Sequence, residues 1–202
     1  MAEKEINRAV AYPLAYLFVF GGYMFINHVG GWNTPHELPL TVVDRGLPFL
    51  PWTGWIYVTV FPFPLIAVWG VREERGVRAM IAAFVGLAAL CFAAFLAYPT
   101  IYPRPPMDAS GPLAWPMIIV RALDNATNCC PSMHVTAAFM SALFVRRYRP
   151  VLGNALVVWA ALISLSTMTT KQHYFVDVAS GTALAFLAYA ASSYTIPISA
   201  EA

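Results

Sequence analysis

Charge is what this sequence has least of. Only 11% of its 202 residues are Asp, Glu, Lys or Arg, against 59% hydrophobic, where soluble domains average about a quarter and about half. So few charges do not cover a water-facing surface, which excludes an ordinary soluble domain and leaves lipid as the solvent for most of the exterior. The net charge of +2 is too small for a nucleic-acid binder, so no nucleic-acid partner is expected. Cysteine is also scarce: three residues make no disulfide framework. Cys91 sits in an apolar run, and Cys129 and Cys130 are adjacent, a spacing that rarely closes a disulfide without strain. No second Cys or His pair stands at ligand spacing and no carboxylate cluster accompanies the histidines, so neither a metal nor another cofactor is expected. There is no internal repeat, the feature that would favour a transporter built from inverted halves. No A-x-A-like site follows the first apolar run, which therefore reads as a retained span.

What the sequence has in abundance is long apolar stretches, and a membrane-spanning helix needs about 20 such residues. Six stretches are read as spans: 12–29, 55–71, 79–98, 131–145, 151–170 and 175–194. The predicted fold is all-α, one integral membrane domain over 1–202 arranged as a six-helix bundle. Pro62 and Pro64 predict a kink in the second span. A Pro/Trp/Gly-rich loop covers 30–54. The longest polar connection, 99–130, opens irregularly at Pro99 and Pro103-Arg-Pro-Pro106, and its 113–123 part predicts a short interfacial helix.

The cations orient this threading. With both termini cytoplasmic, the inner side holds Lys4, Arg8, Arg72, Arg75, Arg78, Arg146, Arg147 and Arg149, eight of the twelve Lys and Arg residues, as the positive-inside rule requires. Arg45, Arg104, Arg121 and Lys171 fall outside. Three polar clusters then share the outer (periplasmic, extracellular or lumenal) face: Tyr102-Pro-Arg104-Pro105, Pro131-Ser132-Met133-His134, and Lys171-Gln172-His173 followed by Asp177.

Each cluster has a chemical reading and a plain one. Pro131 suits the first turn of a helix, where the free N–H groups around Ser132, Met133 and His134 and the helix dipole favour an anion. His134, one turn in, is placed to give a proton to a leaving oxygen; the plain reading makes Asn128 and Ser132 caps and His134 interfacial. His173 and Asp177 are four apart and share a helix face. The carboxylate can hold one ring N–H and leave the other nitrogen as a nucleophile. An aspartate in an apolar helix costs about 2.5–3.5 kcal/mol and marks function by default; otherwise it pairs with Lys171 or a helix end. Arg104, stiffened by prolines, is a natural phosphate partner or a headgroup contact, and Lys171 a second phosphate ligand or a headgroup anchor. Arg121, Asp124 and Asn128 lead into the Ser/His cluster and are candidates to line the same cavity. Two histidines, a carboxylate and several cations suit phosphoryl transfer. Ser132 and His134 at i and i+2 face apart on a helix, which argues against a serine hydrolase.

Arg104-Pro105, Pro131-Ser-Met-His134 and the run from Ser166 through His173 to Asp177 together resemble the type-2 phosphatidic acid phosphatase superfamily, with its Arg-Pro, Pro-Ser-Gly-His and Ser-Arg-x5-His-x3-Asp motifs on six helices. The resemblance covers about the last hundred residues by motif. It implies a metal-independent enzyme acting on a lipid phosphate or phospholipid, with His173 as the nucleophile that becomes phosphorylated, Asp177 orienting it, and His134 as the acid. Arg104, Ser132 and the backbone at Met133 are implied as phosphate ligands. Three positions depart from the family pattern. Ala97 stands where the family has a lysine, Thr167 where it has an arginine, and Met133 where it has glycine. Cys-Pro-Ser-Met-His and Lys-Gln-His-Tyr-x-x-Asp-Val look closest to the inositolphosphotransferase branch, which includes inositol phosphorylceramide synthase. The acceptor, water or a lipid alcohol, stays open, and a transporter or scaffold without turnover is the competing class.

Overall fold

The computed structural model describes residues 7–29, 33–107 and 111–195, the last three by backbone only. Lys4, counted above among the inner cations, lies outside these residues, as do 30–32 and 108–110 of the two long loops. The chain runs α1 (Arg8–Val29), β1 (His36–Glu37), α2 (Val42–Gly46), α3 (Gly54–Tyr57), α4 (Phe63–Ala67), α5 (Glu74–Ala97), β2 (Thr100–Ile101), α6 (Trp115–Leu123), α7 (Met133–Tyr148), α8 (Pro150–Thr169) and α9 (Phe175–Thr195).

Among the described residues, four helices are long and apolar enough to cross a membrane: α1, α5, α8 and, over Phe175–Ser192, α9. The segments Pro51–Val60 and Phe63–Gly70 make a fifth candidate if taken together, bent by 41°. Pro62 and Pro64 sit at that break, where each removes a backbone donor from the helical ladder. The protein is thus a mostly helical, multi-pass membrane protein, with four or five spans supported by length and composition.

The remaining long helix, α7, is different in kind. It has 16 residues, ten of them buried, Thr136 and Ser141 included, and it packs against α8, α9, α5 and α4. A helix sheltered on all sides need not be apolar, because lipid never meets its surface. By contrast, only 11% of the α1 apolar window is buried; its Leu14, Leu17, Phe18 and Phe25 are exposed and suited to contact lipid.

α7 and α8 are joined by the single residue Arg149, with Pro150 opening α8 where a missing N–H costs nothing. So tight a reversal requires Gly153. A Cβ there would meet the Arg146 Cα at 2.1 Å. At the opposite end of the bundle the two long loops meet. β1 pairs in parallel with β2, His36 opposite Thr100, Ile101 bridges Thr127, and the Thr100 hydroxyl accepts from the N–H groups of Cys129 and Cys130 at 3.1 and 2.9 Å. The loop end of α7 is therefore fixed by strand pairing.

Candidate active site

The turn carrying His173 is a Schellman cap on α8. The Gln172 N–H reaches back to the Thr167 carbonyl (2.9 Å) and the Lys171 N–H to Met168 (3.1 Å), satisfying carbonyls that a helix end leaves unpaired. The second of these donors has φ 56°, a left-handed conformation usually taken by glycine. Here it is Lys171, and its ammonium explains why. Nζ donates to the carbonyls of Asp44 and Leu47 at 3.1 and 2.8 Å, tying the first loop to the turn. Asp44 adds a second tie, because its Oδ1 accepts from the Phe175 N–H at 2.7 Å and so caps α9. Lys171 is thus engaged with backbone in this structure, using two of its three ammonium protons.

Ser132 caps α7: its Oγ accepts from the Val135 N–H (3.4 Å). Its own N–H donates to the Asp177 carbonyl at 3.1 Å, so the start of α7 and the first turn of α9 are bolted together. Gly181 makes that approach feasible, since a Cβ there would lie 2.6 Å from the Ser132 carbonyl oxygen.

The consequence is a continuous chain of side chains. Asp177 Oδ2 lies 3.2 Å from His173 Nδ1 and accepts from the Tyr174 N–H at 2.9 Å. His173 Nε2 lies 3.2 Å from His134 Nδ1, and His134 Nε2 lies 3.0 Å from the Tyr57 hydroxyl. Asp177 and Tyr57 are 0% exposed and His173 5%, so water does not compete for these bonds. A carboxylate only accepts, so His173 carries its hydrogen on Nδ1 and presents an Nε2 lone pair.

Arg104 belongs to a second cluster. Its guanidinium donates to the Asp124 carbonyl at 2.6 Å, to Asp124 Oδ2 at 2.9 Å and to the Asn125 carbonyl at 3.2 Å. The Tyr23 hydroxyl donates to the other Asp124 oxygen. Asn27 braces Asn125, its Oδ1 accepting from the Asn125 N–H at 2.9 Å and its backbone carbonyl from the Asn125 side-chain amide at 3.0 Å. Burial raises the Asp124 carboxyl above its ordinary value, against the lowering pull of Tyr23 and Arg104. Tyr174 ties the start of α9 to β2, donating its O–H to the Ile101 carbonyl at 3.0 Å; burial pushes its own pKa up to about 12.

Asp124 and His134 meet in one cavity of about 420 Å³, otherwise walled mainly by apolar and aromatic side chains of α1, α3 and α6, with Tyr57 among them. Its rim residues Trp55, Trp115, Ile119 and Leu123 are exposed, so the cavity opens sideways on the lipid-facing surface. A smaller cavity of about 70 Å³, lined by Met133, His134 and Ala137 among others, adjoins on the α7 side.

A sequence profile of the PAP2 superfamily matches residues 49–191, well over half of the chain. The chain belongs to the PAP2 superfamily. No curated protein and no solved structure matches it. PAP2 proteins are generally phosphatase-type enzymes, and the matched stretch contains the whole histidine chain and the Arg104–Asp124 pair, while Tyr23 and Asn27 of the second cluster precede it.

Of the residues expected from the PAP2 motifs, the fold brings His134, His173 and Asp177 into direct contact and buries Ser132 beside them. Arg104 is paired with Asp124, and Lys171 faces the first loop. Arg121 donates to the Pro105 carbonyl at 2.8 Å and lies over the Phe49 ring. Asn128 is a buried turn residue with φ 62°; of Arg121, Asp124 and Asn128, only Asp124 lines the large cavity. Ala97 ends α5 on the surface. The Thr167 hydroxyl bonds back to the Ser164 carbonyl at 2.7 Å, so no side chain stands in for the PAP2 arginine there. Tyr57 was not singled out from the sequence. The available signal was a phenol inside an apolar span, a group that needs a partner when buried.

Cys129 Sγ joins His173 and Asp177 in a buried group whose ligand atoms lie within 4.8 Å of one another. A metal fits it poorly. Burial, then the Asp177 charge, raise the thiol so that it keeps its proton, and His173 Nδ1 and Asp177 Oδ2 are already bonded to each other.

Proposed function

We propose that the protein is a metal-independent lipid-phosphate phosphatase or headgroup phosphotransferase working through a phospho-histidine at His173. The observation that carries this is the chain Asp177···His173···His134, with bonds of 3.2 Å at both links. Asp177 holds the His173 Nδ1 hydrogen, so Nε2 attacks phosphorus. His134 takes up a proton from solvent along with the anionic substrate and enters the step as an imidazolium. As the Nε2–P bond forms and the P–O bond breaks, His134 Nδ1 gives its proton to the leaving oxygen. The neutral His134 then takes a proton from water or a lipid alcohol as that oxygen attacks the phospho-histidine, and His173 is regenerated. Arg104, Ser132 and the free N–H groups at Met133 and His134 hold the phosphoryl oxygens. Arg104 does so by exchanging Asp124 for substrate, and the third proton of Lys171 is left for the same use. The side-opening cavity takes the hydrocarbon chains from the bilayer.

In this reading α7 is the sixth span, shielded from lipid by its neighbours. The termini are cytoplasmic and the site faces the other side, as the eight-to-four division of cations favours. The Cys-Pro-Ser-Met-His text favours the inositolphosphotransferase branch, in which a lipid alcohol is the acceptor.

The test uses purified protein in detergent with chelator, alongside His173→Ala. Substrates are a phosphatidate-type monoester, an isoprenyl diphosphate, and phosphatidylinositol with and without ceramide or diacylglycerol. Free phosphate that disappears in the variant identifies a phosphatase; a new acceptor-dependent lipid that disappears identifies a transferase. Equal, null turnover by both proteins would return the chain to the transporter or scaffold class.

A further inference from the structure

We propose that Tyr57 is a positioning residue for His134, holding Nε2 so that every proton exchange occurs at Nδ1. The inference rests on the reading of His134 as the acid. His173 presents a lone pair at Nε2, and the atom 3.2 Å away, His134 Nδ1, has to supply a hydrogen to it. A neutral imidazole has only one N–H, so Nε2 of the resting His134 is an acceptor, and the phenol 3.0 Å away donates to it. The bonds therefore run with one polarity: Tyr57 to His134, His134 to His173, His173 to Asp177.

The same hydroxyl serves the other protonation states. When His134 is an imidazolium, the phenol oxygen accepts from Nε2–H. When His134 has released its Nδ1 proton to a leaving group, that Nε2–H bond persists. The vacant Nδ1 lone pair then faces the reacting centre, ready to act as a base. A hydroxyl can both donate and accept, which makes it suited to this place.

Packing fixes the ring as well as the hydrogen. The Tyr57 and His134 ring centroids are 5.1 Å apart, and Phe61 meets the imidazole edge-on at 5.9 Å. Tyr57 ends α3, one turn before the proline break at Pro62. Without the phenol, Nε2 is left bare in a buried site. The imidazole can then keep its hydrogen on Nε2, where Nδ1 no longer donates toward the leaving oxygen.

The test compares wild type and Tyr57→Phe on a long-chain alkyl phosphate, whose poor leaving group needs an acid, and on 4-nitrophenyl phosphate, whose good one does not. The expected result is a loss in kcat/KM, which reports the phosphorylation step, of roughly 10- to 100-fold on the alkyl ester and under about 3-fold on the aryl ester. An equal loss on both esters, or none on the alkyl ester, overturns the proposal. Nitrogen NMR of the His134 ring tests it without turnover. Neutral His134 in the wild type is expected to carry its hydrogen on Nδ1, and Tyr57→Phe to lose that preference. An Nε2–H form in the wild type overturns the proposal even if Tyr57→Phe is poorly folded, and so does an unchanged tautomer in a variant that melts like the wild type. If wild type turns over neither ester, the phosphoryl-transfer reading fails, while the ring spectrum still decides the role of Tyr57.

Discussion

The two side-chain clusters at the loop end of the bundle are built in opposite ways. The histidine chain is carried by helix termini or their caps and held by groups that need no net positive charge: Tyr57 closes α3, His134 opens α7, and His173 and Asp177 flank the start of α9. In the arginine cluster Arg104 and Asp124 sit on loops, braced by Tyr23 and Asn27 of α1, and the Arg104 charge is already matched by Asp124 at 2.9 Å. In the proposed function the difference separates two tasks. A nucleophile and an acid must keep their alignment through a reaction, which favours rigid elements and bonds that survive a change of protonation. A phosphate-binding cation must exchange partners, which favours a carboxylate that substrate can replace. The Arg104–Asp124 pair balances its own charge and keeps Arg104 fixed in direction.

The rigid side breaks with the largest effect at Gly181. An alanine Cβ would press on the Ser132 carbonyl at 2.6 Å and on the Thr136 hydroxyl at 3.0 Å. The first obstacle is backbone and cannot rotate away. Gly181→Ala is expected to force α9 off α7, weaken the bond from the Ser132 N–H to the Asp177 carbonyl, and pull His173 away from His134. We expect a loss of about 1–3 kcal/mol in stability, typical of overpacking, and at least about a 10-fold fall in kcat from misalignment. Thermal denaturation beside an activity assay measures both; wild-type values in both would mean that the α7–α9 seam does not set the geometry.

The exchangeable side responds in the other direction. Asp124→Asn keeps one acceptor oxygen for Arg104, turns its NH2 toward the Tyr23 hydroxyl oxygen, which can accept, and removes the competing charge. Inorganic phosphate should then bind more tightly, by roughly five-fold for about 1 kcal/mol of relieved competition. The wild type carries its own version of this change. Burial holds the Asp124 carboxyl above its ordinary value, so as pH falls through that raised range Asp124 takes up a proton and releases Arg104. The Asn variant lacks that step. Inhibition by phosphate, titrated against pH in both proteins, checks the size and the pH dependence together; weaker inhibition of the variant would make Asp124 a support for the anion site instead of its competitor.

The same contrast explains what was legible beforehand. The i,i+4 spacing of His173 and Asp177 and the Pro-Ser-x-His opening of α7 are local patterns, and helix geometry carries them directly into space. The 41° break at Pro62 follows from two prolines in an apolar run. The strand ladder between 36–37 and 100–101, the Arg104–Asp124 pair and the Tyr57–His134 bond have no comparable mark. Tyr57 is one of ten tyrosines and meets His134 across 77 residues, a contact written only in the packing. Lys171 was only half legible for a related reason. Its place two residues before His173 suits a phosphate ligand or a headgroup anchor alike, and the left-handed backbone that turns its ammonium toward the first loop has no mark in the sequence.

Lys171 therefore gives the smallest and most discriminating test, because it joins the two sides. Lys171→Met removes both bonds to the Asp44 and Leu47 carbonyls and leaves the backbone strain in place. Bonds from a charged donor contribute about 1.5–3 kcal/mol, and a loss in that range is expected in thermal denaturation. Activity should fall less than about 10-fold, since the Asp177 and Asp44 bonds at the start of α9 remain. Lys171→Gly loses the same bonds but relieves the left-handed conformation, so it should melt above the Met variant, by about 1 kcal/mol. An anion ligand would behave differently: both variants would raise KM for anionic substrate alike, with little change in melting. The order of the two melting points thus separates an anchor in the turn from a ligand in the site.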